Sequence, residues 1–152
     1  MLNDTGRDQI RSEIEDIQDI FIKFDSLLSK SETAEPDLIE LSALGTVLHS
    51  FYTGLEGIFL VIVKRMGAEV PIGNRWHMDL LEQIARPTDS RSAVISESTR
   101  QKLESYLAFR HFFRHSYAYI LEWDEMRDLI IDLRDTWDIT KQEIENFLQT
   151  TT

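Results

Sequence analysis

The chain has 152 residues, 42% of them hydrophobic and 28% charged, with six glycines, three prolines and no cysteine. This is the composition of one globular domain, too apolar for intrinsic disorder and too short for a two-domain enzyme. Sixteen Lys and Arg against twenty-seven Asp and Glu leave a formal charge of −11, which excludes a protein that coats nucleic acid with its whole surface but leaves room for a local basic site. Without cysteine there is neither a disulfide framework nor a thiolate metal centre, and a cytoplasmic protein is expected.

The opening run, MLNDTGRDQIRSEIEDI, has no apolar stretch after its first charges, so neither a signal peptide nor an anchor is expected there. The apolar run from Gly54 to Val63 falls short of the ~20 residues a bilayer crossing needs, and no membrane association is expected. Nothing repeats at a fixed period. One domain over residues 1–152 is expected, with 1–7 and 149–152 as flexible ends.

From Asp8 to Ser29, Ile10, Ile14, Ile17, Phe21, Phe24 and Leu28 recur at three- and four-residue steps, with Glu13, Glu15, Asp16 and Asp19 between them. That is an amphipathic helix. After a break at Ser31–Pro36, Pro36 and Asp37 read as a helix start. A single stripe then runs for about eight turns through Leu38, Leu41, Leu44 or Gly45, Leu48, Tyr52, Leu55, Phe59 and Ile62. Gly54 and Gly57 inside it each cost ~1 kcal/mol against alanine, which points to another helix packed closely there and supports a two-fold homodimer. Gly67 to Gly73 reads as a loop, and Trp76, Leu80, Leu81 and Ile84 as a short helix stopped before Pro87. Arg86 to Ser92 reads as a flexible polar segment. Ser96 or Ser98 caps a helix through Leu103, Tyr106, Leu107, Phe109 and Phe113. A last helix spans about Glu122 to Leu148. With no sustained period-two alternation, the fold class is all-α: a bundle of four long helices plus one or two short ones.

Between Arg100 and Tyr119 lie Arg100, Lys102, Arg110 and Arg114 against the single acid Glu104, with His111, His115, Tyr117 and Tyr119 among them. This cationic island is where the chain could hold a phosphate; the plainer alternative is a solvated helix face. At ~100° per residue, Arg110, Arg114 and Tyr117 share one face and His111 and His115 another, leaving Arg110 and His115 ~140° apart. They meet at one phosphate only if the helix breaks or bends, or if a second copy of the chain completes the site. His111 and His115 also have the i, i+4 spacing of a metal pair. Phe112, however, stands where a zinc-protease motif needs glutamate, and His49 and His77 are distant in sequence, so no metal and no cofactor are expected. Glycine elbows and phosphate-binding glycine loops are absent from the sequence.

The segment Phe109-Arg110-His111-Phe112-Phe113-Arg114-His115-Ser116-Tyr117 has the form Arg, four residues, His, one residue, Tyr. It resembles the active-site motif of HEPN-domain ribonucleases, in particular the HepT toxins of bacterial toxin–antitoxin pairs. Gly73-Asn74-Arg75-Trp76-His77-Met78-Asp79-Leu80-Leu81 also resembles a stretch of HepT-like proteins. The resemblance implies a HEPN-like bundle and a metal-independent RNA endonuclease of type II or type VII-like pairs, with tRNA as one substrate class. It implies Arg110 and His115 as the catalytic pair, His111 and Arg114 as supporting or RNA-binding residues, and Tyr117 as the residue that an MntA-like nucleotidyltransferase antitoxin modifies with AMP. It also implies a homodimer with both motifs at one cleft.

The residue types suit that chemistry. Cleavage through the neighbouring 2′-hydroxyl needs a proton-transfer group working near neutrality, which histidine supplies, and a fixed cation for the charged phosphorane, which arginine supplies. Two other readings compete: a non-catalytic helical partner of a nucleotidyltransferase, and a helical scaffold with no site. Residue by residue, His115 as an ordinary histidine and Tyr117 as a packing phenol stand against the functional reading. Phe109, Phe112, Phe113, Trp76, Trp123 and Trp137 are expected to pack in the core.

Overall fold

The computed structural model describes residues 2–117 and 120–151, and among these every regular element is helical. In chain order the helices are α1 (Asp4–Lys23), α2 (Asp25–Ser31), α3 (Leu38–Arg65), α4 (Trp76–Ile84), α5 (Glu97–Arg114), α6 (Trp123–Ile131) and α7 (Leu133–Thr150). The all-α expectation holds, with four long helices and three short ones. The difference from one or two short helices comes from two breaks. At Phe24, where the backbone leaves the helical region, and at Asp132, a turn residue that keeps right-handed dihedrals, what the periodicity presents as single helices is divided.

Helix α3 is the axis of the bundle. Asp37 caps it in a reciprocal box: its carboxylate accepts from the Glu40 amide at 2.8 Å, and Glu40 accepts from the Asp37 amide at 3.1 Å. Pro36 thus precedes the cap rather than lying in the first turn. An 18-residue window of α3 reaches a mean hydropathy of 1.5, so by length and composition the helix is apolar enough to cross a membrane, beyond what the Gly54–Val63 run suggests. Its apolar side chains are instead covered by neighbouring helices: Phe51, Leu55, Ile58, Phe59 and Ile62 are fully buried. The Phe51 ring lies edge-on to Phe21 of α1, Tyr106 of α5 and Trp137 of α7, so one residue touches three helices at the centre of the core.

Gly54 and Gly57 meet the chain's own α1. A Cβ on Gly54 would stand 2.7 Å from Ile17 Cγ1, and one on Gly57 would stand 3.4 Å from Glu13 Oε1. The close helix expected there is therefore intramolecular, and the two glycines give no argument for a dimer. Both described ends contact the bundle. Leu2 is buried, and Arg7 donates to the Leu148 carbonyl and the Thr151 hydroxyl, both at 2.8 Å.

Helices α4 and α5 are fixed by polar clasps. Arg91, buried in the segment expected to be flexible, donates to the carbonyls of Gln83, Arg86 and Ser92 at 2.9–3.0 Å, satisfying the open end of α4. Ser96 caps α5 through the Thr99 amide, and Glu143 of α7 accepts from the Ser96 amide and the Thr99 hydroxyl. Farther along α5, Tyr106 donates to the Leu129 carbonyl at 2.7 Å. At its far end the Phe113 ring sits over Gly45, where a Cβ would come within 2.6 Å. The C-terminal turn of α5 therefore lies close against α3.

Candidate active site

The first turn of α4 and the C-terminal half of α5 enclose a cavity of about 360 Å³. Asn74, Arg75, His77 and Met78 line one wall; Glu104, Leu107, Ala108, Arg110, His111, Arg114 and His115 line the other. Arg110 and His115 therefore open into the same space within one chain. No break interrupts α5 before Arg114, and His115 follows as the residue at which the helix ends. Arg110 and Arg114 stand at one edge of its α5 wall, Leu107 and His111 in the middle, and Glu104, His115 and Ala108 toward the other edge, so the lining spans about 160° of the helix. His115 terminates α5, its amide donating to the Phe112 carbonyl at 3.1 Å. The rings of His111 and His115 lie 4.6 Å apart.

The cationic island is narrower than the sequence suggests. Arg100 is neutralised by Glu97 and Glu104, at 2.8 and 3.0 Å. Lys102 faces a different hollow with Asp128, Asp132 and Asp135. What remains at the cavity is Arg114, together with Arg110, 3.6 Å from Glu56, and Arg75, 3.7 Å from Glu82, beside three imidazoles and the acid Glu104; the first turn of α4 adds the positive end of a helix dipole. Tyr117 lies beyond the end of α5, is 73% exposed and does not line the cavity, so it does not share a helix face with Arg110 and Arg114. Tyr119 lies outside the described residues.

Arg110 has a buried stem. Its Nε donates to the Thr53 hydroxyl at 3.0 Å, and Nη1 stands 3.6 Å from Glu56 Oε1. Glu56, on α3 behind the cavity wall, is buried and bonded through Oε2 to His77 Nδ1 at 2.7 Å. The sequence reading missed Thr53 and Glu56 and placed His77 too far away to matter. The available signal was Glu56 itself: no other charged residue occurs between Glu40 and Lys64, and a lone charge in so apolar a run needs a buried partner.

Around this centre, burial and then the charges of Arg110 and Arg114 hold His49 below the usual imidazole range, beside the Phe113 ring. Burial and then Glu56 push the Tyr52 phenol upward, so it stays protonated. Phe109 is buried and Phe113 half-buried, but Phe112 is 37% exposed at the rim of the bundle. Trp123 and Trp137 pack in the core as expected, while half-buried Trp76 lies against the His77 ring at 3.6 Å. Among the described residues, no group of three or more His, Asp or Glu side chains is placed to hold a metal ion.

A family model described as "HepT-like protein" matches residues 43–151, from α3 to the end of α7 and across the whole cavity. The chain belongs to the HepT-like family. Membership of this HEPN-type group carries the toxin–antitoxin context that the Arg110–Tyr117 motif implies. No curated protein and no solved structure matches this HepT-like chain.

Proposed function

We propose that this chain is the toxin of a bacterial toxin–antitoxin pair and cleaves RNA without a metal, with Arg110 and His115 as the reacting pair. The observation that carries this reading is the shared cavity: an anchored guanidinium and an exposed imidazole reach one space lined by further cations. Arg110 holds the phosphate and stabilises the charge that grows on the phosphorane, His115 transfers a proton, and Arg114 and His111 hold the flanking backbone. Attack by the 2′-hydroxyl makes the reaction specific for RNA over DNA. tRNA is one substrate class consistent with the family.

An MntA-like nucleotidyltransferase is the antitoxin in this reading. Tyr117 is accessible and two residues from His115. A phenolic oxygen that displaces pyrophosphate from ATP there acquires an adenylyl phosphate, whose negative charge competes for the cations at the cavity mouth. The homodimer rests on the family resemblance alone.

The test is expression of the chain by itself, then cleavage by the purified protein. Wild type arrests growth and cuts RNA in the presence of EDTA; His115→Ala does neither, having lost about 100-fold or more in rate. Growth arrest and cleavage that persist in His115→Ala overturn the reading. Intact-mass measurement after incubation with the nucleotidyltransferase and ATP checks Tyr117, and light scattering checks the dimer.

A further inference from the structure

The Glu56–His77 pair lies outside the motif yet forms part of the same wall. Glu56 has 6% of its side chain exposed and His77 has 28%, so the carboxylate is hidden while the ring reaches the cavity. An ionised carboxylate only accepts hydrogen bonds. The 2.7 Å contact therefore requires His77 Nδ1 to donate, and the neutral ring then carries its lone pair on Nε2. The 3.5 Å approach of Arg110 Nη1 to the same Nδ1 is a meeting of two donors that share Glu56, not a hydrogen bond between them. Trp76 packs against the ring and limits its rotation. A buried carboxylate that fixes the tautomer and orientation of a partly exposed imidazole is the arrangement of a proton acceptor, because the carboxylate stabilises the imidazolium as it forms.

We propose that His77, oriented by Glu56, takes the proton from the RNA 2′-hydroxyl, while His115 gives a proton to the departing 5′-oxygen. The inference rests on the ribonuclease reading above. The 2′-oxygen bonds to phosphorus as its proton passes to His77 Nε2; the bond from phosphorus to the 5′-oxygen breaks as that oxygen takes the proton of His115. The products are a 2′,3′-cyclic phosphate and a 5′-hydroxyl, and the two imidazoles end with their protonation states exchanged. Arg110, held by Thr53 and Glu56, stays on the phosphoryl oxygens throughout.

His77→Asn separates chemistry from structure, because its amide nitrogen replaces Nδ1 as a donor to Glu56 while Nε2 is lost. With the full chain and an RNA oligonucleotide, the expected single-turnover rate falls about 100-fold or more. Affinity for a non-cleavable 2′-deoxy oligonucleotide and the thermal midpoint stay close to wild type. A substrate with sulfur in place of the bridging 5′-oxygen supplies a leaving group that needs no proton. It is expected to restore His115→Ala and not His77→Asn. Glu56→Gln keeps an acceptor for His77, and losing the carboxylate's charge lowers the rate about 10-fold with affinity retained; this variant carries the test if His77→Asn does not fold. Cleavage by His77→Asn within about threefold of wild type, rescue of it by the sulfur substrate, or an unchanged rate in Glu56→Gln overturns the inference. Wild type that cuts, with His115→Ala inactive and His77→Asn active, removes only this inference. Wild type that cuts neither substrate removes the ribonuclease reading and the inference with it.

Discussion

Helix α3 presents two carboxylate environments on neighbouring faces, about 100° apart, of the five residues from Thr53 to Gly57. On one side Gly54 and Gly57 admit α1, and the half-buried Glu13 of that helix rests against them with no cation within salt-bridge distance among the described residues. On the other side Thr53 and Glu56 point to α4 and α5 and hold Arg110 and His77 at bonding range. The first side is a seam of close backbone approach, in which shape does the work. The second buries charge, and a buried charge is costly unless it is paired. A protein that hides a glutamate in the apolar run from Phe51 to Phe59 while keeping its partners at a cavity wall bears that cost where ligands enter.

The largest expected effect comes from removing the cation. Arg110→Ala leaves Glu56 buried with His77 alone and Thr53 without its donor, so stability falls by about 3 kcal/mol, within the range for breaking a buried pair. Cleavage falls by about 100-fold or more, since the site loses its anchored guanidinium. Arg110→Lys restores the charge without the fork that reaches Thr53 and Glu56 together, and recovers stability more than rate. Urea unfolding and cleavage assays on the two variants check this. Equal recovery of both quantities by lysine would mean that charge alone matters on this side of α3.

How far this contrast could be read from the sequence depended on whether a residue advertised its partner. Arg110 and His115 were legible because their spacing has a known form, and α4 because Trp76, Leu80, Leu81 and Ile84 repeat before a proline. The breaks at Phe24 and Asp132 were not, because Phe21, Phe24 and Leu28, or Ile130, Leu133 and Trp137, keep three- and four-residue steps straight through them and no glycine or proline marks the turn. Arg100 looked free because Glu97, one of its two partners, lies just outside the charged window. Glu56 was hidden by its neighbours, since a stripe of apolar residues draws attention to packing. Glycines 54 and 57 showed that a helix packs closely there, but not whether it came from the same chain.

On the seam side the effects are smaller and differ between the two glycines. Gly54→Ala gains about 1 kcal/mol of helix propensity but drives its methyl into Ile17 at 2.7 Å, where a β-branched core residue has little room to yield; a net loss of about 1 kcal/mol is expected. Gly57→Ala meets only the end of the Glu13 side chain at 3.4 Å, so most of the propensity gain survives and stability rises by about 0.5 kcal/mol. Both variants retain cleavage. Thermal unfolding that gives the two substitutions the same sign would show that the seam is governed by α1 as a whole and not by the atoms facing each glycine.

The smallest effect comes from the other carboxylate. Burial against α3, and then the neighbouring charge of Asp16, push the Glu13 carboxyl above its ordinary value of 4.5. The folded chain thus holds this proton more tightly than the unfolded chain, and stability falls as pH rises from the unfolded value through the folded one. Above the folded value the whole penalty is present; below the ordinary carboxylate range it is gone. Glu13→Gln should therefore stabilise the protein at pH 7. Solvent around a half-buried group limits the gain to a few tenths of a kcal/mol, roughly 1 °C in Tm. The gain should be largely lost at pH 4, just below the ordinary value of 4.5, where most of both states of wild type carries the proton. Glu56→Gln has the opposite sign at pH 7, because it takes the charge away from Arg110 and His77 and removes a stabilising partner rather than a penalty. Thermal melts of both variants at the two pH values set the sides of α3 against each other directly. A Glu13→Gln gain that persists unchanged at pH 4 would trace it to the shape of the seam and not to the ionised carboxylate.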